Sequence, residues 1–266
     1  MKRHNALGKN LAYVLEEGQG PTLLFLHGFA ESHKIWERQI VHFSAKGHSV
    51  LAIDLPGFGA SDVWPDISID EMAALVYELL YQENIHSCIV FGHSMGGYVA
   101  LSLASQFPDC ISGMGLIHSH PFADAEERRA ARQKSIRFIQ ETGNVPYLKQ
   151  LFPTFFAAGF LQNHPEILDH LMADASAFSD EGITAALAAM ASRRDLSNVL
   201  EHIYQPVLFV LGLEDQLIPP TEAMLSQTAL PDKAVIHLLD GIGHMVLYEA
   251  PEQLDQILEE FIPLCT

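Results

Sequence analysis

Ser94 stands in Gly92-His93-Ser94-Met95-Gly96-Gly97, a G-x-S-x-G pattern, and an aspartate, Asp215, and a histidine, His244, follow it along the chain. A serine hydroxyl is a weak nucleophile at neutral pH. It needs a base within hydrogen-bond reach and a carboxylate that fixes the tautomer of that base. With both, the chemistry open to it is acyl transfer through a covalent acyl-enzyme. The bare pattern arises by chance in roughly one chain in ten of this length, so its weight comes from context. An apolar run, Cys88 to Phe91, precedes it and an apolar helical pattern follows, the setting in which the motif forms a nucleophile elbow.

The rest of the chain reads as the frame for such a site. Leu11 to Glu16, Thr22 to Leu26, Ser49 to Ile53, Gly113 to Ile117, Val207 to Leu211 and Ala234 to Leu239 are short runs of strand composition. Most are continuously apolar rather than alternating, which suits a parallel sheet covered on both faces. Helical periodicity marks Lys34 to Lys46, Ile69 to Tyr81, Met95 to Phe107, Thr221 to Ala229 and Pro251 to Phe261. Ser68 and Asp70 supply capping groups, and Pro108 stops the third helix. Strand alternating with helix predicts an α/β fold with a doubly wound, mostly parallel sheet. The alternation breaks over 119–201, where helical segments follow one another. Residues 1–118 and 202–266 are therefore expected to form the core, and 119–201 an inserted helical cap.

Asp215 follows the Val207 to Leu211 strand, and His244 follows Ala234 to Leu239 in Asp240-Gly241-Ile242-Gly243-His244. Both are thus expected at the same sheet edge as Ser94, where open α/β sheets bind ligands. Glu214 is the rival for Asp215. An oxyanion hole needs donors aimed at the charge that develops in the tetrahedral intermediate. The Met95 amide, at a helix N-terminus, and the Phe29 amide, in His27-Gly28-Phe29, are the candidates. His118, Phe155, Phe156, Met190, Leu217 and Met245 are expected to line the substrate pocket.

These residues carry a resemblance. His27-Gly28-Phe29, Asp54-Leu55-Pro56-Gly57-Phe58-Gly59-Ala60-Ser61, the Ser94 turn, the Asp215 loop and His244 occur in the order of the α/β-hydrolase superfamily with a helical cap, which the chain resembles over almost its whole length. The resemblance implies the same roles for Ser94, Asp215, His244 and the Phe29 and Met95 amides. Epoxide hydrolases and haloalkane dehalogenases of similar fold carry Asp at the elbow, so Ser94 points away from both. The expected activity is cleavage of a small or medium carboxylic ester. A carbon–carbon bond hydrolase, a lactonase, a thioesterase and a ligand-sensing receptor-like protein that keeps the three residues are the alternatives.

Other residues have simpler readings. His27 and His93 are expected to pack or bond to backbone. His118 and His120 form a His-Ser-His pair, but no third and fourth ligand stands at a recognisable spacing and no H-E-x-x-H occurs, so no metal is expected. Gly57-Phe58-Gly59 lacks dinucleotide spacing; these are turn glycines, and no cofactor is implied. Arg128, Arg129, Arg132 and Arg137 either meet an acidic acyl chain or form a solvated helix face. The adjoining Glu126 and Glu127 favour the solvated face.

Hydrophobic residues make up 48% and charged residues 18% of the 266, a globular balance. The 33 acidic against 15 basic residues give a formal charge of -18, which repels nucleic acid and acidic membrane surfaces. Met1-Lys2-Arg3 is followed by no apolar run fit for a signal peptide, and no stretch reaches the length of a membrane span. Three scattered cysteines, Cys88, Cys110 and Cys265, suggest a reducing compartment. The expectation is a cytoplasmic protein with a small-molecule substrate, no nucleic-acid or membrane partner, and an oligomeric state left open.

Overall fold

Leu23, Phe25, Ile89 and Phe91 belong to one buried apolar cluster, while their neighbours Leu24, Leu26 and Val90 belong to another. Successive side chains of a strand point to opposite faces, so these continuously apolar runs feed two cores at once. In the computed structural model, which describes residues 1–6, 8–221, 228 and 230–266, the runs form one sheet. Its strands are β1 (Lys2–Ala6), β2 (Lys9–Glu16), β3 (Gly20–Leu26), β4 (His48–Ile53), β5 (Cys88–His93), β6 (Ile111–Ile117), β7 (Val207–Gly212) and β8 (Ala234–Leu239). The order is β1-β2-β4-β3-β5-β6-β7-β8. The β1/β2 and β2/β4 pairs are antiparallel and all others parallel.

Helices cover both faces. Helix α1 (Glu37–Ala45) and a long C-terminal helix share one core with Phe25, Phe91 and Trp36, while α2 (Ile69–Gln82) and α3 (Met95–Gln106) fill the other. The start of α2 is fixed by a capping box: the Glu71 amide donates to Ser68 Oγ at 3.1 Å and the Ser68 amide to Glu71 Oε2 at 2.8 Å. Asp70 does not cap. Its carboxylate accepts from Ser102 Oγ at 2.5 Å and Arg194 Nε at 2.7 Å. Helix α3 ends at Gln106, two residues before Pro108.

Between β6 and β7, 126–202 holds α4 (Glu126–Thr142), α5 (Asn144–Leu151), α6 (Ala158–Asn163), α7 (Glu166–Ala175), α8 (Asp180–Ser192) and α9 (Ser197–His202), and no strand. Two helices close the chain, α10 (Val246–Glu249) and α11 (Pro251–Phe261). The helix expected over Thr221 to Ala229 lies, but for Thr221 and Thr228, outside the described residues. The expected Lys34 to Lys46 helix opens with a 3-10 turn, His33–Trp36, whose Lys34 amide donates to Ser32 Oγ at 3.4 Å. Strand β1 carries no apolar run; in Lys-Arg-His-Asn-Ala only His4 and Ala6 turn inward.

Candidate active site

The strand-to-helix turn at Ser94 is the most constrained backbone of the site. Ser94 has φ 50° and ψ −112°, a conformation that L residues rarely adopt. It is held because neighbouring backbone leaves no alternative: a Cβ on Gly92 would lie 2.3 Å from the Gly96 carbonyl oxygen, and one on Gly96 2.3 Å from that of Leu26. The Ser94 amide donates to Ile117 O at 2.9 Å, and its carbonyl accepts from Ser119 Oγ at 2.9 Å. The side chain is thereby turned onto a cavity of about 240 Å³, which Phe29, Tyr98, Phe155 and His244 also line.

Asp215 lies just past β7 and is 2% exposed, whereas Glu214 is exposed, which separates the two carboxylates offered by the sequence. Asp215 Oδ2 lies 2.7 Å from His244 Nδ1 and 3.2 Å from His118 Nδ1. Its Oδ1 accepts the Leu217 and Ile218 amides, each at 2.8 Å. Burial disfavours the charged carboxylate, but the neighbouring His244 and the hydrogen bonds from His118 and His244 outweigh it and hold Asp215 well below the usual carboxylate range. An ionised carboxylate only accepts, so His244 carries a proton on Nδ1 and presents Nε2 as a lone pair. No hydrogen bond joins Ser94 Oγ to His244 among the described residues. Such bonds commonly tighten only around a substrate.

His244 is held by its backbone as firmly as by its ring. Its amide donates to Phe155 O at 2.6 Å, and its carbonyl accepts from His93 Nε2 at 2.9 Å. The flanking Gly243 and Met245 amides both donate to Glu249, at 3.0 and 3.0 Å to its nearer oxygens, and Glu249 also accepts the Ala157 amide at 2.9 Å. The loop that bears His244 is thus tied to the helical segment.

A second carboxylate–imidazole pair lies beside the first. His93 Nδ1 donates to Glu31 Oε2 at 3.0 Å, and the same oxygen accepts the Gly28 amide at 2.6 Å. Both residues are buried. Burial works against charge on each, yet the pair's mutual attraction prevails: His93 is raised and Glu31 lowered from their ordinary values. Glu31 therefore links the Gly28-Phe29 loop to the Ser94 strand and, through His93, to His244. Sequence reasoning passed over Glu31 and Glu249, since an acidic residue in a loop reads as solvated. The one available signal was Glu31 lying within three residues of His27-Gly28-Phe29.

The amides of Phe29 and Met95 are engaged by no protein acceptor among the described residues, and they flank the cavity from the β3 loop and the α3 N-terminus. Leu217, Phe155 and Met190 line the cavity. His118, Phe156 and Met245 do not. His118 sits behind Asp215, at φ 48°, and burial brings its pKa down to about 4. Phe156 turns to stack on Phe160, with ring centroids 5.5 Å apart, and Met245 is fully buried beneath the His244 loop.

The His-Ser-His pair does not converge. His120 faces Tyr98 and the Phe122 amide instead, with ring atoms 3.5 and 3.2 Å from them. His118, Asp215 and His244 do cluster, with potential ligand atoms within 4.8 Å of one another. The Nδ1 atoms of both imidazoles lie within hydrogen-bond distance of one carboxylate oxygen, and the Gly212 amide also approaches His118 Nδ1, at 3.3 Å.

The mostly parallel sheet carries a strained serine at the end of its β5 strand and a buried carboxylate–imidazole pair at the same edge. A family model described as the alpha/beta hydrolase fold matches residues 21–251, and the chain belongs to that family. It is 30% identical to 3-oxoadipate enol-lactonase 2 of Acinetobacter baylyi, over 90% of this chain and 87% of that one. It is 28% identical to the pimeloyl-[acyl-carrier protein] methyl ester esterase of Aeromonas hydrophila, over 92% and 96%. Among solved structures, a thermophilic esterase from Thermogutta terrifontis superposes with a TM-score of 0.92 at 25% identity, covering 100% of both chains.

Proposed function

We propose that the protein is a serine hydrolase that cleaves a small or medium carboxylic ester, or a lactone, by two successive acyl transfers. The observation that carries this reading is the 2.7 Å Asp215–His244 contact at the cavity onto which the strained Ser94 turn opens. His244 Nε2 takes the Ser94 proton as Oγ attacks the carbonyl carbon, and the Phe29 and Met95 amides receive the charge on its oxygen. His244 then protonates the departing alcohol. Water, deprotonated by the same nitrogen, attacks the acyl-enzyme and frees Ser94.

Asp215 stays ionised and steadies the imidazolium. His118 adds a hydrogen bond to the same carboxylate without adding a charge, because its lowered pKa keeps it neutral near pH 7. The helices between β6 and β7 act as a cap: Met190, Phe155 and Leu151 give the cavity apolar walls that exclude water. Relatives that act on an enol-lactone and on a methyl ester support an acyl–oxygen substrate over a carbon–carbon one. The three cysteines are free and buried, which suits a reducing cytoplasm. Among the described residues no helix is long and apolar enough to cross a membrane.

The test is the intact mass after treatment with a fluorophosphonate, wild type beside Ser94→Ala. A single adduct on wild type alone is the expected result, since it needs both an activated Ser94 and a working oxyanion hole. Absence of an adduct on folded wild-type protein overturns the reading.

A further inference from the structure

Helix α4 places Arg128, Arg132 and Ser135 at i, i+4 and i+7, one face of the helix, and that face forms a wall of the Ser94 cavity together with Tyr147 of α5. Arg129 and Arg137, on other faces, are exposed, as are Glu126 and Glu127. The solvated-face expectation for this arginine cluster therefore holds for two of its members and fails for the two that point inward.

The charges on this wall are unbalanced. Arg132 Nε bonds to Asp124 Oδ2 at 2.6 Å, and Arg193 Nη1 bonds to Asp124 Oδ1, also at 2.6 Å. One carboxylate thus serves two guanidinium groups. Arg128 donates to the Leu217 carbonyl, and no carboxylate pairs with it among the described residues. Glu31 also reaches the cavity, but its charge is held against His93. Buried Arg193 lies over the Tyr98 ring at 4.0 Å from its centroid, a second place where positive charge is kept at this wall. In a chain of formal charge -18, an arginine excess turned toward the cavity calls for an anion supplied from outside.

We propose that Arg128 and Arg132 form an anion subsite in the Ser94 cavity, so that the preferred substrate is an ester or lactone bearing a carboxylate at its non-reacting end. This rests on the hydrolase reading for the identity of the scissile bond, and on the arginines alone for the anion. Guanidinium forks match a carboxylate in two parallel hydrogen bonds, and the partly closed, apolar cavity strengthens the attraction. Ser135 and Tyr147 add hydroxyls at the same wall. The anion enters from either half of the substrate, and the probes below separate the two.

The experiment measures binding to Ser94→Ala protein by titration calorimetry, so that turnover is not required. Monomethyl adipate carries its carboxylate on the acyl half and 6-acetoxyhexanoate on the alcohol half. Each is compared with its neutral methyl ester. One charged probe binding about tenfold or more tightly than its neutral partner is the expected result, with the preference weakening as salt is raised. In Arg128→Gln with Arg132→Gln that preference falls to about one, and Arg128→Lys restores part of it, since Lys keeps the charge and loses the fork. Melting curves establish that each variant is folded. Should the double variant not fold, Arg128→Gln alone halves or abolishes the preference, because Arg128 has no carboxylate partner to strand.

Equal binding of charged and neutral probes overturns the proposal. So does a preference that survives the arginine changes, or the absence of binding by either charged probe at millimolar concentration. Wild-type turnover of the same esters is followed separately. An anion preference without hydrolysis leaves the subsite standing and removes the hydrolase reading; hydrolysis without preference does the reverse.

Discussion

Two buried carboxylate–histidine pairs sit side by side in this site, Asp215 with His244 and Glu31 with His93, their imidazole centroids 5.0 Å apart. In each, a carboxylate accepts from Nδ1. They differ at the other nitrogen. His93 Nε2 donates to the His244 carbonyl, so both its nitrogens carry protons and neither can receive one. His244 Nε2 has no protein partner among the described residues and borders the cavity. Residue type and neighbours alone would rank the pairs equally as acid–base machinery. What separates a base from a brace is whether the far nitrogen is left free.

The largest effect should come from removing that free nitrogen. His244→Gln is expected to lower kcat by several orders of magnitude, about 10⁴-fold or more, since the nucleophile loses its base. His93→Gln should lower it only about 10- to 100-fold, as the His244 carbonyl loses a donor and the loop shifts. Steady-state kinetics on a cleaved ester, beside far-UV circular dichroism, make the comparison. If folded His93→Gln lost as much as His244→Gln, the distinction between base and brace would be wrong.

The brace should also show in stability. Glu31→Gln strands a buried imidazolium, and breaking a buried pair from one side costs on the order of 3–5 kcal/mol. The cost has a pH window. Glu31 is lowered from 4.5, so its contribution is present above about that pH and is lost as pH falls through its lower folded value. His93 is raised from 6.5, so its contribution is complete below that pH and is lost as pH rises through its higher folded value. The difference in melting temperature between wild type and Glu31→Gln should therefore be widest between about pH 4.5 and 6.5. A difference that stayed constant up to pH 9 would mean the pair is not ionised.

The proposed base was legible in the sequence and the proposed brace was not, for a physical reason. Ser94 and Asp215 each follow a fully buried apolar strand and His244 follows the half-exposed edge strand β8, so the sheet's topology fixes where they emerge. Glu31 and Glu249 act through backbone amides of loops whose course depends on tertiary packing, and no local pattern records it. Arg128 and Arg132 share their periodicity with exposed Arg129 and Arg137; only the docking of α4 decides which pair turns inward. Phe156 and Met245 were apolar enough to line a pocket or to pack, and packing claimed both. Strand β1 escaped because an edge strand with two inward residues has too few apolar positions to show its period.

The smallest expected effect concerns His118, which touches the Asp215–His244 pair from behind. Asp215 already accepts three other hydrogen bonds, from the His244 ring and from the Leu217 and Ile218 amides. His118→Asn, which keeps an N–H donor, should therefore lower kcat by no more than about tenfold. Its signature is in stability against pH instead. His118 titrates near 4 in the fold and near 6.5 when exposed, so the unfolded chain binds the extra proton first as pH falls. Wild type thus loses this contribution between about pH 6.5 and 4, and His118→Asn should show a shallower acid-side fall in unfolding free energy over that interval. Parallel slopes for the two proteins would mean that burial does not lower His118 in the fold. Asp215 would then offset burial at His118 as Glu31 does at His93, and the comparison of the two pairs would have to include it.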